Sequence, residues 1–399
     1  MLQGGVTMRL RQLPFEYAFR NLGRSRVRLF SSLIGATLVV LLAMAATSFV
    51  RGMEATLTRS PSIHTNVIVL GAGSEESVER SQIDSSVAGI VASSVQGLKQ
   101  AGNTPLVSPE IHAMLPVREE AGGEPIQSVM RGVRPEVAVL VHPQVELLEG
   151  RLPRAGRDEI MVGSLTAVRL GLAQNRLAVG STLYFDGREW TVAGRFAAPS
   201  TVMDAEIWIP LTDLQIATKR ESTISCVVVA LDTARPRDID LLTKSRLDLE
   251  IASITEEDYY AGIASFYKPI RIMVIVTAVL IGLGGLLGGL NTMYAAFSAR
   301  VREVGMLQAL GFTRRAIVLN LTEESTFAAA CGAVLALAIG YVLIDGYAVQ
   351  FSMGAFELRI DAVAMLVGLC AGALVGLVGA IPPSVRCLRL PIPSALKSL

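Results

Sequence analysis

Charged residues are scarce in this sequence, and hydrophobic residues are abundant. Asp, Glu, Lys and Arg make up 18% of the 399 residues, against about 25% in an average soluble domain. Hydrophobic residues make up 51%. The formal net charge is +1, which gives no electrostatic reason to expect binding to nucleic acid or to an acidic substrate. This balance is typical of a membrane protein with a sizeable water-facing part.

Cysteine and histidine are too few and too scattered to suggest a disulfide framework or a metal centre. The four cysteines are Cys226, Cys331, Cys370 and Cys387. The three histidines, each without an obvious partner, are His64, His112 and His142. No CxxC pair and no Cys/His cluster is present. The sequence therefore predicts no metal-binding residue and no redox site.

Motifs that mark enzymes are also missing. There is no GxSxG, HExxH or DFG-like set, and no G-x-x-x-x-G-K-[ST] phosphate-binding loop. Asp204 and Glu206 form the nearest approach to a catalytic carboxylate pair, but acids at a strand end are usually solvated. We therefore predict no catalytic residue and no cofactor in this chain.

Four long apolar runs contain no Asp, Glu, Lys, Arg or His. Runs of about 20 such residues are long enough to cross the hydrocarbon core of a bilayer as helices. Their absence of charge argues against a proton-driven carrier, because such carriers use intramembrane ionisable groups. The predicted transmembrane helices are residues 29–50, 272–297, 325–344 and 362–385.

Arginine and lysine flank these runs unevenly, and this bias predicts their orientation. The segments 1–28, 298–324 and 386–399 are rich in arginine, whereas 345–361 holds Arg359 beside three acids. Both termini are therefore expected in the cytoplasm, and residues 51–271 and the short loop 345–361 outside it. A cleaved signal peptide ending near Ala43–Ala45 is the alternative at the N-terminus.

Small residues recur every fourth position in the last three runs. Such stripes allow helix backbones to approach closely in lipid, within one bundle or between two copies of a chain. The predicted packing residues are Gly284, Gly288, Gly332, Gly340, Gly368, Gly372 and Gly376.

The outer segment 51–271 reads as an α+β domain with a β-rich insert. Strands are predicted at 66–70, 110–117, 127–132, 159–162, 182–185, 189–192, 206–209 and 225–231. Helices are predicted at 86–101, 165–170 and 238–247. Asp186-Gly187, between two alternating runs, predicts a β-hairpin turn. The predicted fold is thus a membrane protein of four transmembrane α-helices with a large α+β extracytoplasmic domain between helices 1 and 2.

The link 298–324 carries the most distinctive sequence. Apolar residues fall on one side of short helical segments, Gly311 interrupts them, and Arg314-Arg315 follow. Periodicity alone is compatible with an ordinary basic helix–turn–helix at the membrane surface.

Three regions resemble ABC-transporter permeases of the FtsX/MacB type, the macrolide-exporter and lipoprotein-release superfamily. The link, REVGMLQALG from Arg302 to Gly311 followed by Arg314-Arg315, is similar to the family signature. The stretch 18–35 resembles the entry helix and first span, and 382–396 resembles the C-terminal tail. The order of spans and the outer domain agree, so the resemblance covers essentially the whole chain.

The resemblance implies a permease half that works with two copies of an ABC ATPase and with a second permease copy or a sister permease. A periplasmic adaptor and membrane lipid are further partners, and nucleic acid is not. ATP and Mg would be bound by the partner ATPase, since this chain lacks a phosphate-binding loop. In the family the link forms a coupling helix, which here implicates Arg302, Glu303, Gly305, Leu307, Leu310, Gly311, Arg314 and Arg315.

Two functions follow from this resemblance. The first is an ATP-driven exporter of the bacterial inner membrane that moves a hydrophobic, peptidic or lipid-linked cargo already at the outer face. The alternative is an FtsX-like signal relay that controls a cell-wall hydrolase. The length of the outer segment favours the exporter.

Overall fold

The computed structural model describes residues 26–58, 66–351 and 354–388. The sequence predicts a cytoplasmic amphipathic helix in residues 1–28, of which residues 1–25 lie outside the described part of the chain; so do His64 and residues 389–399. The described chain forms two compact units. The helical unit holds the residues up to Val50, Ile270–Tyr347 and those from Leu358 onward; the sheet unit holds Arg51–Pro269 and Ala348–Glu357.

The secondary structure alternates long helices with a strand-rich middle. The helices are α1 (Arg26–Thr58), α2 (Val87–Ser94), α3 (Pro135–Val141), α4 (Thr166–Arg169), α5 (Leu211–Ala217), α6 (Pro236–Ser245), α7 (Glu256–Phe266), α8 (Lys268–Ser298), α9 (Val301–Ala309), α10 (Arg314–Leu343) and α11 (Ala362–Leu388). The strands are β1 (Asn66–Gly71), β2 (Ile83–Asp84), β3 (Gln100–Ala101), β4 (Thr104–Pro105), β5 (Val107–Val117), β6 (Ile126–Val133), β7 (Glu146–Gly150), β8 (Glu159–Gly163), β9 (Thr182–Phe185), β10 (Arg188–Ala197), β11 (Ile207–Pro210), β12 (Thr223–Ile224), β13 (Cys226–Ala230), β14 (Ile251–Thr255), β15 (Ala348–Phe351) and β16 (Gly354–Glu357).

Helices α1, α8, α10 and α11 contain the four predicted apolar runs. The stretches long and apolar enough to cross a membrane are Leu29–Thr56, Lys268–Ala295, Arg314–Leu343 and Ala362–Arg386. Helix α10 starts well before the predicted third span, so it also carries Glu323 and Glu324. The charge-free stretch is therefore only part of this helix.

Glycines bring α1, α10 and α11 into close contact in the helical unit. A Cβ atom on Gly332 would lie 2.8 Å from the Cβ of Ala36, and one on Gly368 would meet Met44. The Thr37 hydroxyl also donates a hydrogen bond to the Gly332 carbonyl at 3.1 Å. Close approach of backbones maximises dispersion contacts between apolar helices.

The other predicted packing glycines divide into two groups. Gly340 faces Met44 and Ile360, while Gly372 and Gly376 face α10 side chains and, for Gly372, also Val40. By contrast, Gly284 and Gly288 on α8 have open space where a Cβ would be. Positions 284 and 288 of α8 thus have room for a larger side chain, whereas a Cβ on Gly285 would lie 2.5 Å from Val39 of α1.

One ten-stranded mixed sheet forms the centre of the sheet unit. Its order is β14-β1-β13-β5-β6-β11-β8-β10-β7, with β9 paired to β10. The pairs β6–β11 and β8–β10 are parallel, and the others are antiparallel. Strand β5 joins the part of the sheet that contains β14, β1 and β13 to the part that contains β6, β11, β8, β10, β9 and β7. Its first residues pair with β13, and its later residues pair with β6.

Most element predictions for this unit are confirmed. All eight predicted strands are present, and Asp186 (φ 50°) and Gly187 (φ 70°) form the turn between β9 and β10. Positive φ at both central residues is the requirement of a type I′ hairpin. The predicted helix 86–101 is wrong beyond Ser94, because Gly97 turns the chain with φ 80° towards β3.

Large apolar side chains fill the core on both sides of the sheet. The main cluster includes Phe185 and Trp190, whose rings stack at 4.6 Å, while Phe196 and Trp208 form part of a second cluster. All four side chains are almost fully buried. Burial of this apolar surface is the main stabilising contribution to the unit.

The loop between α10 and α11 contains a hairpin, β15–β16, that belongs to the sheet unit. Ala355 and Phe356 are 1% and 2% exposed. Ala355 clusters with Leu165 and Ala205, and Phe356 packs where a Cβ on Gly52 would otherwise lie. The sequence alone predicts only a short loop for this segment.

Candidate coupling site

The predicted coupling link is a short helix and a tight turn. Helix α8 ends at Ser298, α9 spans Val301–Ala309, and α10 begins at Arg314. The Thr313 hydroxyl accepts a hydrogen bond from the Ala316 amide at 3.2 Å. This cap satisfies one of the free N–H groups at the start of α10 and defines where the long helix begins.

Gly311 forms the turn that ends α9. Its φ is 89°, a left-handed conformation that L-residues with a side chain adopt at a cost. The Gly311 amide donates to the Gln308 carbonyl and the Phe312 amide to the Leu307 carbonyl, at 3.0 and 3.1 Å. These two bonds make a Schellman motif. The interruption seen in the sequence is therefore a helix C-cap.

One face of the link is anchored in an apolar cluster. Val304 of α9 packs with Ile317 and Leu321 of α10 and with Phe297 and Leu388, all nearly buried. Leu307 and Phe312 are partly buried against the same cluster. The link is thus a packed part of the helical unit, not a free loop.

The opposite face is exposed, basic and partly apolar. Arg302, Arg314 and Arg315 are exposed, and the Leu310 side chain is 66% exposed. An open groove of about 470 Å³ adjoins this face and is lined by Arg314, Arg315, Val318, Leu319, Val385 and Leu388. Below, the outward face of the link means the exposed residues Arg302, Leu310, Arg314 and Arg315 together with this groove.

The eight predicted coupling residues therefore occupy different positions. Arg302, Leu310, Gly311, Arg314 and Arg315 are exposed. Glu303 and Leu307 are half-buried and Gly305 is buried. The first group thus lies on the surface of the described helical unit, whereas the second group is packed to different degrees into the link.

A buried ion pair that the sequence does not predict lies behind the link. The Arg300 guanidinium donates to Glu303 at 2.8 Å and to Glu324 at 3.1 Å. The Glu324 side chain is only 4% exposed. An acid placed immediately before an apolar run was the available signal, but its partner lies 24 positions away.

A second polar cluster, which the sequence does not predict either, lies inside the sheet unit. The Arg131 guanidinium donates to both Glu206 carboxylate oxygens at 2.6 and 2.8 Å, and to Glu110 at 2.7 Å. His142 and His112 hydrogen-bond to Glu110 at 2.9 and 3.2 Å. All five side chains are buried or nearly so.

These contacts keep both carboxylates ionised. Burial raises the pKa of Glu110, but the charges of His142 and Arg131 outweigh it and hold that pKa well below its ordinary value. Burial opposes ionisation of Glu206 too, yet the charge and the paired hydrogen bonds of Arg131 lower its pKa. Burial, followed by the Glu110 charge, raises the pKa of the nearby Cys226 thiol.

Two interpretations of the sequence are wrong at this cluster. His112 and His142 were expected to lack partners, but both contact Glu110. Asp204 and Glu206 were expected to be solvated strand-end acids, but both are buried. Asp204 instead accepts hydrogen bonds from the Ser164 hydroxyl and the Ala198 amide. The sequence also predicts no metal ligand. In the structure, however, Glu110, His112 and Cys226 each have an atom able to bind a metal ion, and these atoms lie within 4.8 Å of one another.

Two family models match this chain. The MacB-like periplasmic core domain matches residues 29–241, more than half of the sequence, and the FtsX-like permease C-terminal domain matches residues 275–392. The second match contains the whole link and helices α9, α10 and α11.

Curated relatives include the macrolide export ATP-binding/permease protein MacB of Shewanella sp. (strain W3-18-1), 21% identical over 94% of this chain and 59% of the relative. MacB of Bradyrhizobium diazoefficiens is 25% identical over 41% of this chain and 27% of the relative. The chain therefore spans about 59% of the length of the first of these relatives. The crystal structure of the periplasmic region of MacB from Actinobacillus actinomycetemcomitans aligns with a TM-score of 0.38 at 12% identity, covering 50% of this chain and 92% of that one.

Both the strand-rich domain and the helical C-terminal part thus have a match, in the order in which they occur along this sequence. The chain belongs to the FtsX/MacB family of ABC-transporter permeases.

Proposed function

We propose that this chain is the permease subunit of an ATP-driven exporter that works by transmitting motion rather than by opening a channel. An ABC ATPase would press on the outward face of the link. The helical unit would relay this motion to the sheet unit, which acts on a hydrophobic, peptidic or lipid-linked cargo at the outer face of a bacterial inner membrane. Both termini would lie in the cytoplasm.

The observation that carries this proposal is the two-sided character of the link. Its inner face is held by the cluster around Val304, Ile317 and Leu321, so a force applied to it moves the ends of the long helices. Its outward face combines exposed arginines with the exposed Leu310. Arginine and apolar side chains together are typical of protein interfaces.

The ion pair of Arg300 with Glu324 supports the same reading. This ion pair connects Arg300, which follows α8, to Glu324 of α10, and both side chains are mostly buried. Such a connection transmits displacement of the link to both helices as a unit, because breaking a buried pair leaves an uncompensated charge. Coupling of this kind needs two arrangements whose balance the nucleotide state shifts.

The partners in this proposal are those of an ABC exporter. We propose that two copies of a separate ATPase bind ATP and Mg, and that a second permease copy or a sister permease completes the assembly. The open space at Gly284 and Gly288 of α8 suits contact with that second permease. A periplasmic adaptor would extend the pathway where an outer membrane exists.

The test is reconstitution of the full chain with a candidate ABC ATPase from the same organism, measuring co-purification and ATP hydrolysis. The double variant Arg314→Ala/Arg315→Ala should bind the ATPase about tenfold more weakly, as expected for loss of about 1.4 kcal/mol at an interface. A matched control removes two exposed arginines of the sheet unit, Arg157→Ala/Arg237→Ala, and should bind normally. Equal binding by both double variants would contradict the proposed docking face.

Export and signal relay are distinguished by which added substance stimulates ATP hydrolysis. Cargo-type lipids or peptides that raise ATP turnover support the exporter. Stimulation by a cell-wall hydrolase, without transport of any added cargo, supports the relay. In either case Glu303→Lys/Gly311→Pro should uncouple hydrolysis from the sheet unit. Unchanged transport by that variant, or unchanged activation of the hydrolase if the chain is a relay, would refute transmission through the link.

A further inference from the structure

Two neighbouring strands of the sheet unit place three metal-binding side chains together. Glu110 on β5 is the direct cross-strand partner of Cys226 on β13. His112 lies two residues after Glu110, and residues two apart point to the same face of a strand. One donor atom from each of the three lies within 4.8 Å of the others.

The chemistry of this set suits a borderline-soft ion. Carboxylate oxygen, imidazole nitrogen and thiolate sulfur are the three ligand types of protein zinc sites. Glu110 also has hydrogen bonds from Arg131 and His142. Hydrogen-bonded outer partners of this kind orient metal-ligating side chains.

Cys226 itself has no other evident role. Its side chain is fully buried, and in the described parts of the chain its thiol has no hydrogen-bond partner. No second cysteine occurs in residues 51–271, so an intramolecular disulfide within this segment is not available. A bound metal ion lowers the pKa of a thiol and so permits the thiolate form at neutral pH.

We propose that Glu110, His112 and Cys226 bind one zinc ion that ties β5 to β13 in the sheet unit. A water molecule completes four-coordination. Zinc bonds of about 2.0–2.3 Å require donors roughly 3.5 Å apart, so the side chains draw together by about 1 Å on binding. His112 has the freedom to do so, because its side chain is 14% exposed. Arg131 and His142 stay hydrogen-bonded to Glu110 in the outer shell.

The test uses the full chain purified in detergent, stripped with a chelator, and titrated with Co²⁺ as a spectroscopic probe. We expect one Co²⁺ per chain with a thiolate-to-cobalt charge-transfer band, displaced by Zn²⁺. Cys226→Ser should abolish the band, whereas Cys331→Ser, which removes a cysteine of the helical unit, should keep it. Zn²⁺ should also raise the unfolding temperature of wild type but not of Cys226→Ser.

A second variant covers the case in which Cys226→Ser does not fold. His112→Gln changes a partly exposed ligand, and it should weaken Co²⁺ binding at least tenfold while the circular dichroism spectrum stays that of wild type. Absence of the band in wild type overturns the proposal. A band that persists in Cys226→Ser, or an affinity unchanged in His112→Gln, also overturns it. None of these outcomes depends on the ATPase or on transport.

Discussion

The Arg300 guanidinium lies 3.1 Å from the carboxylate of Glu324 on α10, and the Glu324 side chain is only 4% exposed. Arg300 also holds Glu303 of α9 at 2.8 Å. One side chain thus connects the end of α8, the short helix of the link and the start of the third long helix. This arrangement leads to the first prediction.

Glu324→Gln should destabilise the helical unit by about 1–3 kcal/mol, because a hydrogen bond to a charged group is weakened and Arg300 loses one of its counter-charges. Thermal unfolding in detergent measures the effect. Glu323→Gln, an exposed neighbour, is the control and should change the unfolding free energy by less than about 0.5 kcal/mol. A double-mutant cycle with Arg300→Met should return a coupling energy; additive effects would show that the two side chains act independently.

Replacement of Gly311 should weaken the link without touching its outward face. Gly311→Ala should cost about 1–2 kcal/mol because of its φ of 89°. Gly311→Asn should cost less, since asparagine tolerates the left-handed region. The readouts are the unfolding temperature and ATPase stimulation in the reconstituted complex.

The control for Gly311 is a glycine within a helix. A Cβ on Gly262 of α7 would meet no atom within 4 Å, so Gly262→Ala should be neutral or stabilising by up to about 1 kcal/mol. Equal destabilisation by the two alanine variants would show that loss of glycine in general, rather than the turn at Gly311, is responsible.

The glycines of α11 and α8 should respond differently to larger side chains. Gly368→Val forces a side chain against Met44 and Val40, and overpacking of this kind costs about 1–3 kcal/mol or more. Gly284→Val enters open space and should leave the unfolding temperature unchanged. If the α8 face contacts a second permease, Gly284→Val should lower the dimer fraction in crosslinking or mass photometry, and an unaffected dimer would remove α8 from that interface.

The buried carboxylates should make the sheet unit sensitive to acid. The pKa values of Glu110 and Glu206 are lowered in the folded state from a reference of 4.5. Their stabilising contribution is therefore present above about pH 4.5 and is lost as the pH falls through the lower, folded values. We expect the unfolding temperature to fall steeply below pH 4.5.

The fluorescence of Trp208 should report this transition, since its indole N–H donates a hydrogen bond to Glu206 at 3.1 Å. Fluorescence of a Trp190→Phe variant, which leaves Trp208 as the single tryptophan of the chain, follows the cluster directly. Glu159→Gln is the control: the Arg151 hydrogen bond lowers the Glu159 pKa to about 2, but Arg151 is 47% exposed, so solvent screens this pair and the variant should keep the acid profile of wild type. A flat profile down to pH 3 in wild type would contradict the prediction.

Local patterns in the sequence were enough for much of this protein. Charge-free runs predict helices of membrane-spanning length, and Asp186-Gly187 predicts a hairpin, because both depend on residues close together in the chain. The same holds for the turn at Gly311. Alternation of apolar residues also located all eight predicted strands, although it missed short elements such as α3 and β7.

Only the tertiary structure decided the positions of the buried charges. Arg131 reaches Glu206 across 75 positions, and Arg300 reaches Glu324 across 24. A polar residue in a strand or before an apolar run has the same local pattern whether it is solvated or paired. Its partner depends on strand order and helix packing, which no short stretch of sequence specifies.

The sequence by itself thus determined the number of long apolar helices, the strand-rich middle and the family, because each is set by periodicity, by turn chemistry or by motifs along the chain. The tertiary structure decided which histidines meet Glu110, which acids are buried, and that the hairpin β15–β16 packs in the sheet unit. These depend on contacts between residues distant in sequence, whose free energy is realised only when the whole sheet and the helix bundle have formed.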